Sequence, residues 1–400
     1  IGGIGLGLGY ISPVSTLIKW FPDRRGVATG MAIMGFGGGA MIGAPLANLL
    51  MNHFKTDASA GVWQTFVVMG GIYFVAMLCG AFGYRVPATG WKPAGWTPPA
   101  AGGSNAMITT RHVHVNRVHH TPQFWLLWGV LCMNVSAGIG VIGMASPMIQ
   151  EMFGGILIDF PLPLANLSPD QKKAVAAIGA GFAALLSLFN IVGRIVWASL
   201  SDVIGRKVTY AIFFSLGFAL YALSPSVTTV ALFVALFCVV LTMYGGGFAT
   251  IPAYLADMFG TQHVGAIHGR LLTAWSTAGI VGPVIVTQLR EQQIAAGIPA
   301  DKAYHLPLYV LAGLLVVGFV CNLLIRPVAD RHFMSDDELA REKQLSHEKA
   351  QAQIASTAGG GGGDARPTSP ALVALAWIGV GIPLAWGIWN TLLKAMLLFH

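Results

Sequence analysis

Apolar residues run along this chain in long unbroken blocks separated by short polar stretches. The blocks show neither the two-residue alternation of a half-buried strand nor the single apolar stripe of a surface helix. Ten can be read: Ile1–Phe21, Gly26–Asn52, Val62–Tyr84, Phe124–Met152, Ala174–Leu200, Val208–Leu223, Thr228–Met258, Ala266–Gln288, Leu306–Ile325 and Ala371–Leu393. Most reach the ~20 residues that span a hydrocarbon core of ~30 Å. Backbone in lipid must satisfy its own hydrogen bonds, so blocks of this length must be helices. The pattern predicts an all-α membrane protein.

Composition agrees. Of the residues, 55% are hydrophobic and 10% charged, against about 25% charged in a soluble domain. The formal net charge is +7. That excess would suit a nucleic-acid partner if it formed one patch, but it is sorted by loop. Alternate loops, starting with the first, hold sixteen Lys and Arg, and the intervening loops hold five. The positive-inside rule makes the sixteen-residue side cytoplasmic. The charge is thus topological, the expected surroundings are a lipid bilayer of the cell inner membrane, and no nucleic acid is needed. Cys79, Cys132, Cys238 and Cys321 all lie in apolar blocks and read as buried thiols without a disulfide framework.

Two stretches interrupt the helical rhythm. Pro87–Pro122 is rich in Pro, Gly and His and reads as a linker between two bundles. Ala329–Pro370 starts as a charged, helical tail and runs through Gly359–Gly363, a flexible tether. Beyond it, the last block carries Trp377, Trp386 and Trp389, with the latter two spaced as interfacial anchors on one face. An internal repeat pairs Pro13, Phe21, Gly30 and Pro45 with Pro252, Phe259, Gly269 and Pro283, at offsets of 239, 238, 239 and 238 residues. A direct repeat over six spans gives two six-helix halves related by an axis along the membrane normal. In that frame the first block is the fourth helix of twelve, three helices are expected before Ile1, and the last block is an appended helix. The expected organisation is 1–86 for the rest of the first half, 87–123 for the linker, 124–327 for the second half, 328–370 for tail and tether, and 371–400 for the extra span.

One residue breaks the apolar rule. Arg194 stands in Ser187–Trp197, about two turns or ~10 Å from its helix end. A guanidinium at a helix centre costs at least ~2.5 kcal/mol, so it must face water, a partner or a ligand. Its planar fork suits a carboxylate, and Asn190 lies one turn away on the same face. The alternative is an Arg that snorkels to the surface. No acidic residue lies at comparable depth, since Glu151, Asp202 and Asp257 sit near helix ends. Tyr10 and Tyr244, each beside glycines, either face the same cavity or pack in the bundle. His268 and Arg270 open a helix and read as gate or surface groups. The glycines between Gly30 and Gly43 lack the Lys-Ser/Thr ending of a phosphate loop and read as helix packing. Arg111–His112–Val113–His114 and His119–His120 read as a solvated linker, not a metal site. No catalytic constellation and no cofactor motif is found.

The most specific motif is Ala198–Ser199–Leu200–Ser201–Asp202–Val203–Ile204–Gly205–Arg206–Lys207. Asp202 can accept from a neighbouring helix N-terminus or from Arg206, and Gly205 permits a sharp turn. The segment resembles the signature loop of the major facilitator superfamily, in which the position four before the Asp is normally Gly; here it is Ala198. That likeness implies gating roles for Asp202, Gly205 and Arg206. Gly7–Pro13, Trp20–Gly26, Met34–Ala40, Ile251–Gly260 and His268–Arg270 together resemble the oxalate/formate antiporter family, over about residues 1–327. The resemblance implies the superfamily fold, with an appended C-terminal helix, and a binding role for Arg194 and Asn190 toward a substrate carboxylate. The family's oxalate exchanger uses a second cation, a Lys, near the place where Trp275 stands. The resemblance therefore implies a carrier, not an enzyme, for a small monocarboxylate such as lactate, pyruvate or formate, unless the helices expected before Ile1 supply a second cation, working by exchange or proton co-transport; the oligomeric state is left open, a monomer being one arrangement. An oxalate/formate exchanger and a transporter-like sensor are the alternatives.

Overall fold

A computed structural model describes residues 2–57, 59–83, 85–87, 91–97, 107–356 and 369–396. Its long helices are α1 (Gly2–Trp20), α2 (Arg25–Phe54), α3 (Val62–Gly83), α4 (Pro122–Phe153), α5 (Pro169–Ile204), α6 (Arg206–Leu223), α7 (Val230–Phe259), α8 (Val264–Leu271), α9 (Thr273–Ala295), α10 (His305–Leu324), α11 (Asp336–Ser356) and α12 (Pro370–Met396). Among the described residues extended pairing is confined to two isolated bridges. The fold is all-α. Gly359–Gly363, the expected tether, lies outside the described residues.

Nine spans among the described residues are long and apolar enough to cross a membrane, with α8 and α9 forming one of them. This is one fewer than the ten apolar blocks. The difference is α1, whose glycines, Tyr10, Ser12, Ser15, Thr16 and Lys19 dilute its hydropathy. A second difference concerns Cys79, which is exposed on α3, not buried. The most hydrophobic part of α3 buries none of its residues within the protein, so this helix keeps its apolar surface outward. The other three cysteines are buried or half-buried, and all four are free.

Close helix approach is bought with glycine. A Cβ on Gly26 would lie 2.0 Å from the Ala198 carbonyl oxygen, and one on Gly30 would lie 2.7 Å from that of Arg194. On the other side of α5, Gly193 meets Thr242 of α7, and Gly245 of α7 meets Asn190. Thus α5 is clamped between α2 and α7, and α7 is almost wholly buried from Val240 to Phe259. Of the glycines in the second block, Gly30 and Gly37 serve close packing against α5 and Gly43 meets Tyr73 of α3, whereas Gly35 and Gly39 face open space. Helix α1 packs on α8, and α2 on α7. Helix α12 lies against α5 and α2, with Gly181 under the Lys394 carbonyl and Gly387 against Met41.

Residues 107–121 are held more firmly than a solvated linker would be. Thr109 N–H donates to the Asp257 carbonyl at 2.8 Å, and Val113 N–H to that of Phe259 at 2.9 Å. Val113 also bridges Phe333 of the tail, and Met334 N–H donates to the His112 carbonyl at 2.8 Å. Arg117 and Glu338 pair through both carboxylate oxygens, joining the linker to α11.

Candidate functional site

Arg194 is 5% exposed, so it does not snorkel to a surface. Its Nε donates to Asn190 Oδ1 at 2.9 Å, across the single turn that separates them on α5. Its Nη1 donates to the Ile33 carbonyl of α2 at 2.9 Å. That carbonyl is reachable because Gly37, one turn further on, has no side chain to shield it; a Cβ there would stand 3.1 Å from Arg194 Nε. Nη2 makes no hydrogen bond among the described residues, and no carboxylate of those residues lies within ion-pair distance of the guanidinium. A buried charge normally has a paired counter-charge. This cation is oriented on two sides by neutral groups and left electrostatically uncompensated.

Aromatic rings wall the guanidinium. Its Cζ is 5.4 Å from the Phe248 ring centroid and 5.8 Å from that of Phe36, within cation–π reach. Tyr10 stacks on Phe248 at 5.6 Å and meets Phe36 at 5.7 Å. Trp275 closes the group, 5.8 Å from Phe248 and 6.2 Å from Phe36. Tyr244 is within electrostatic reach of Arg194 and beside Trp275; its ring seats on Gly138, where a Cβ would leave no room. The five expected site residues, Arg194, Asn190, Tyr10, Tyr244 and Trp275, therefore converge from α1, α5, α7 and α9. The Tyr10 hydroxyl is buried and has no hydrogen-bond partner. A cavity of about 480 Å³ between α1, α2 and α3 reaches Tyr10 and Phe36.

Of the two readings open to His268, gate or surface, its burial removes the second. It is 2% exposed, its Nε2 has no partner, and its ring lies 5.7 Å from Tyr10. One turn into α8, it faces the bundle because α1 packs on that helix. Arg270 does stay at the surface, donating to Val115 and Asn116 of the linker.

The signature loop makes a second polar cluster, at the end of the bundle where α5 meets α6. Asp202 accepts from the first backbone N–H groups of α2, Gly26 at 2.9 Å and Val27 at 3.0 Å, and from Arg206. Both of the acceptor roles open to it are thus used at once. Arg206 also reaches Ser201 and, at 3.0 Å, Asp257; Asp257 in turn pairs with Arg25 at 2.9 Å. Gly205 turns the chain at φ 87°. The departure at Ala198 is absorbed by its neighbours: the methyl points at Gly30 and its carbonyl at Gly26. The opposite end carries a bidentate Arg290–Glu151 pair at 2.8 and 2.6 Å, bordering a cavity of about 970 Å³.

Sequence reasoning did not single out Phe36, Phe248, Arg25 or Asp257. Phe36 and Asp257 lie in motifs quoted for the family resemblance, but an aromatic in an apolar helix and an acid at a helix end carry no mark of which partner they will meet.

The family model of the Major Facilitator Superfamily matches residues 1–283 and 135–396. The oxalate:formate antiporter of Oxalobacter formigenes is 27% identical over 352 residues, covering 87% of this chain and 73% of that protein. The MFS-type transporter YhjX of Escherichia coli is 26% identical over 283 residues, covering 70% and 61%. Apicoplast pyruvate carrier 1 of Toxoplasma gondii is 24% identical over 344 residues, covering 74% and 59%. The chain spans about three quarters of the first of these proteins and about three fifths of the other two.

Proposed function

This chain belongs to the major facilitator superfamily, and from that premise we propose that it is a secondary active transporter of a small monocarboxylate of the lactate, pyruvate or formate type. The observation that carries the reading is Arg194: a buried guanidinium held by Asn190 and Ile33, with Nη2 unused and no carboxylate partner among the described residues. An anion that binds there gains a charge-assisted contact and removes the uncompensated charge. The one fixed cation that the described residues bring to this site balances one negative charge, and the surrounding Tyr10, Phe36, Phe248 and Trp275 suit a short apolar tail. The similarity to an oxalate:formate antiporter and to a pyruvate carrier supports the organic-anion class.

The gating role goes to Asp202, Gly205 and Arg206, with Arg25 and Asp257 as their partners. Their contacts join α2 to α5, α6 and α7, so separation of the two halves at this end must break them. Alternating access is then a rocking of halves about a central site, favoured once substrate neutralises Arg194. Loop charge supports a cytoplasmic position for this end, and an inner-membrane location is part of the proposal.

Counterflow in liposomes with labelled lactate, formate and oxalate tests the reading. Arg194→Gln is expected to cut monocarboxylate uptake roughly ten- to a hundredfold, the equivalent of a lost charged hydrogen bond of about 1.5–3 kcal/mol. Uptake untouched by the variant would rule out this site. Oxalate uptake in preference to lactate and formate would favour the oxalate/formate exchanger.

A further inference from the structure

A second cluster of donors lies outside the bundle interior, where linker, α7–α8 turn and tail meet. His114 comes from the linker, His263 caps the start of α8, and Glu342 sits on α11. Their ligand atoms lie within 4.8 Å of one another, and all three residues are half-buried. His114 Nε2 is 3.4 Å from a Glu342 carboxylate oxygen, and the two imidazole rings stand 5.1 Å apart at 67°. His263 Nε2 is buried and has no hydrogen-bond partner among the described residues.

We propose that His114, His263 and Glu342 bind a divalent first-row transition metal of the Zn²⁺ class. Two imidazole nitrogens and one carboxylate oxygen are a donor set such ions accept, with water in the fourth position. Ligands bound at ~2.0–2.1 Å in a tetrahedron stand ~3.4 Å from one another, so the three side chains close by about an ångström when the ion enters. Their backbones are already placed for it. Val113 and Arg270 fix the linker beside His114, and Arg117–Glu338 fixes α11 one turn before Glu342.

A plain His114–Glu342 ion pair would use the same two residues but leaves the His263 nitrogen unused. The two readings also differ in the tautomer of His114. Its Nδ1 now accepts the Asn116 N–H at 3.1 Å; metal on Nε2 moves the proton to Nδ1 and exchanges that contact for the metal bond. The ion would tie linker and tail to the turn that follows Asp257, whose carbonyl already holds Thr109.

The test uses the full chain in detergent, freed of affinity tag and metal, titrated with Zn²⁺ by calorimetry at pH 7.5. One ion per chain is expected, with a Kd of ~10 µM or tighter. His263→Ala and Glu342→Gln are each expected to weaken binding at least tenfold, with helicity unchanged by circular dichroism, and His120→Ala to leave it as it was. Trypsin cleavage after Arg341 and Lys343 should slow with Zn²⁺ in the parent chain and not in His263→Ala. The assignment is overturned by no binding below ~100 µM, by binding that survives His263→Ala, or by cleavage of the parent that Zn²⁺ does not slow.

Discussion

Arg194 would be expensive in lipid if it stood alone. Asn190 and Ile33 reduce that expense without cancelling the charge, because both are neutral acceptors. Had an Asp stood at 190, the site would be an internal ion pair with nothing left for a substrate. Asn190→Asp is therefore expected to abolish monocarboxylate counterflow while leaving the folded protein at least as stable in a detergent melt. Uptake retained in that variant would contradict the role given to the uncompensated charge. Trp275 sets the other boundary. It occupies the rim of the aromatic wall, against Phe36 and Phe248, and Trp275→Lys would place a second cation there. Such a variant should gain oxalate as a competitor of labelled lactate, read as inhibition of uptake that the parent does not show.

Among the helices, the decisive contacts are between backbones and charges. Helix α2 presents its N-terminal amides to Asp202 and its glycine face to α5. The partial positive charge of a helix start and a carboxylate attract each other, and glycine lets the backbones come close enough to use that attraction. Arg25 and Arg206 then share Asp257. Asp257 is buried and paired twice; removing its charge leaves Arg25 without its carboxylate, and breaking a buried pair typically costs about 3–5 kcal/mol. Asp257→Asn is expected to shift the conformational balance toward opening at this end. A cysteine placed at Thr29, which is buried here, in a chain whose four native cysteines are replaced by alanine, should then label faster with a water-soluble maleimide than in the same background without Asp257→Asn. Equal labelling rates would show that Asp257 does not hold the gate shut.

Across the molecule, linker, turn and tail form one docked layer over the end of α7. His112 and His263 are both pushed below their ordinary values, in each case chiefly by burial; Lys343, His263 and Arg25 add to it at His112, and at His263 His114 and Lys19 add to it while Glu342 opposes it. A depressed histidine favours the neutral form when docked, so its contribution is fully present above the ordinary value of ~6.5 and is lost as pH falls below it. Glu338 is held low by Arg117, so its contribution persists to pH values beneath the ordinary carboxylate range. The layer should loosen between about pH 7 and 5 through the histidines. Amide exchange of residues 107–121, measured with chelator present and corrected for intrinsic rate, should rise on acidification from pH 7.5 to 5.5; a flat profile would remove the histidines from docking.

How far this was legible in the chain follows from the range of the forces involved. Hydropathy blocks, loop charge and the Asp202–Arg206 spacing are local, and they were enough for an all-α membrane fold, for the superfamily resemblance and for Arg194 as the anomalous residue. Asn190 followed because a helix places residues four apart on one face. Phe36 and Phe248 could not be recognised beforehand, since every apolar helix carries such rings and packing alone chooses which meet the guanidinium. The same holds for Arg25 with Asp257, 232 residues apart, and for His114 with His263 and Glu342. The surface reading of His268 fails because one turn of sequence cannot tell which neighbour a helix face will meet. Period and composition fix what each segment is. Which segments touch is decided by long-range packing, where a glycine opposite an Ala, or a carbonyl left unshielded, determines the partner.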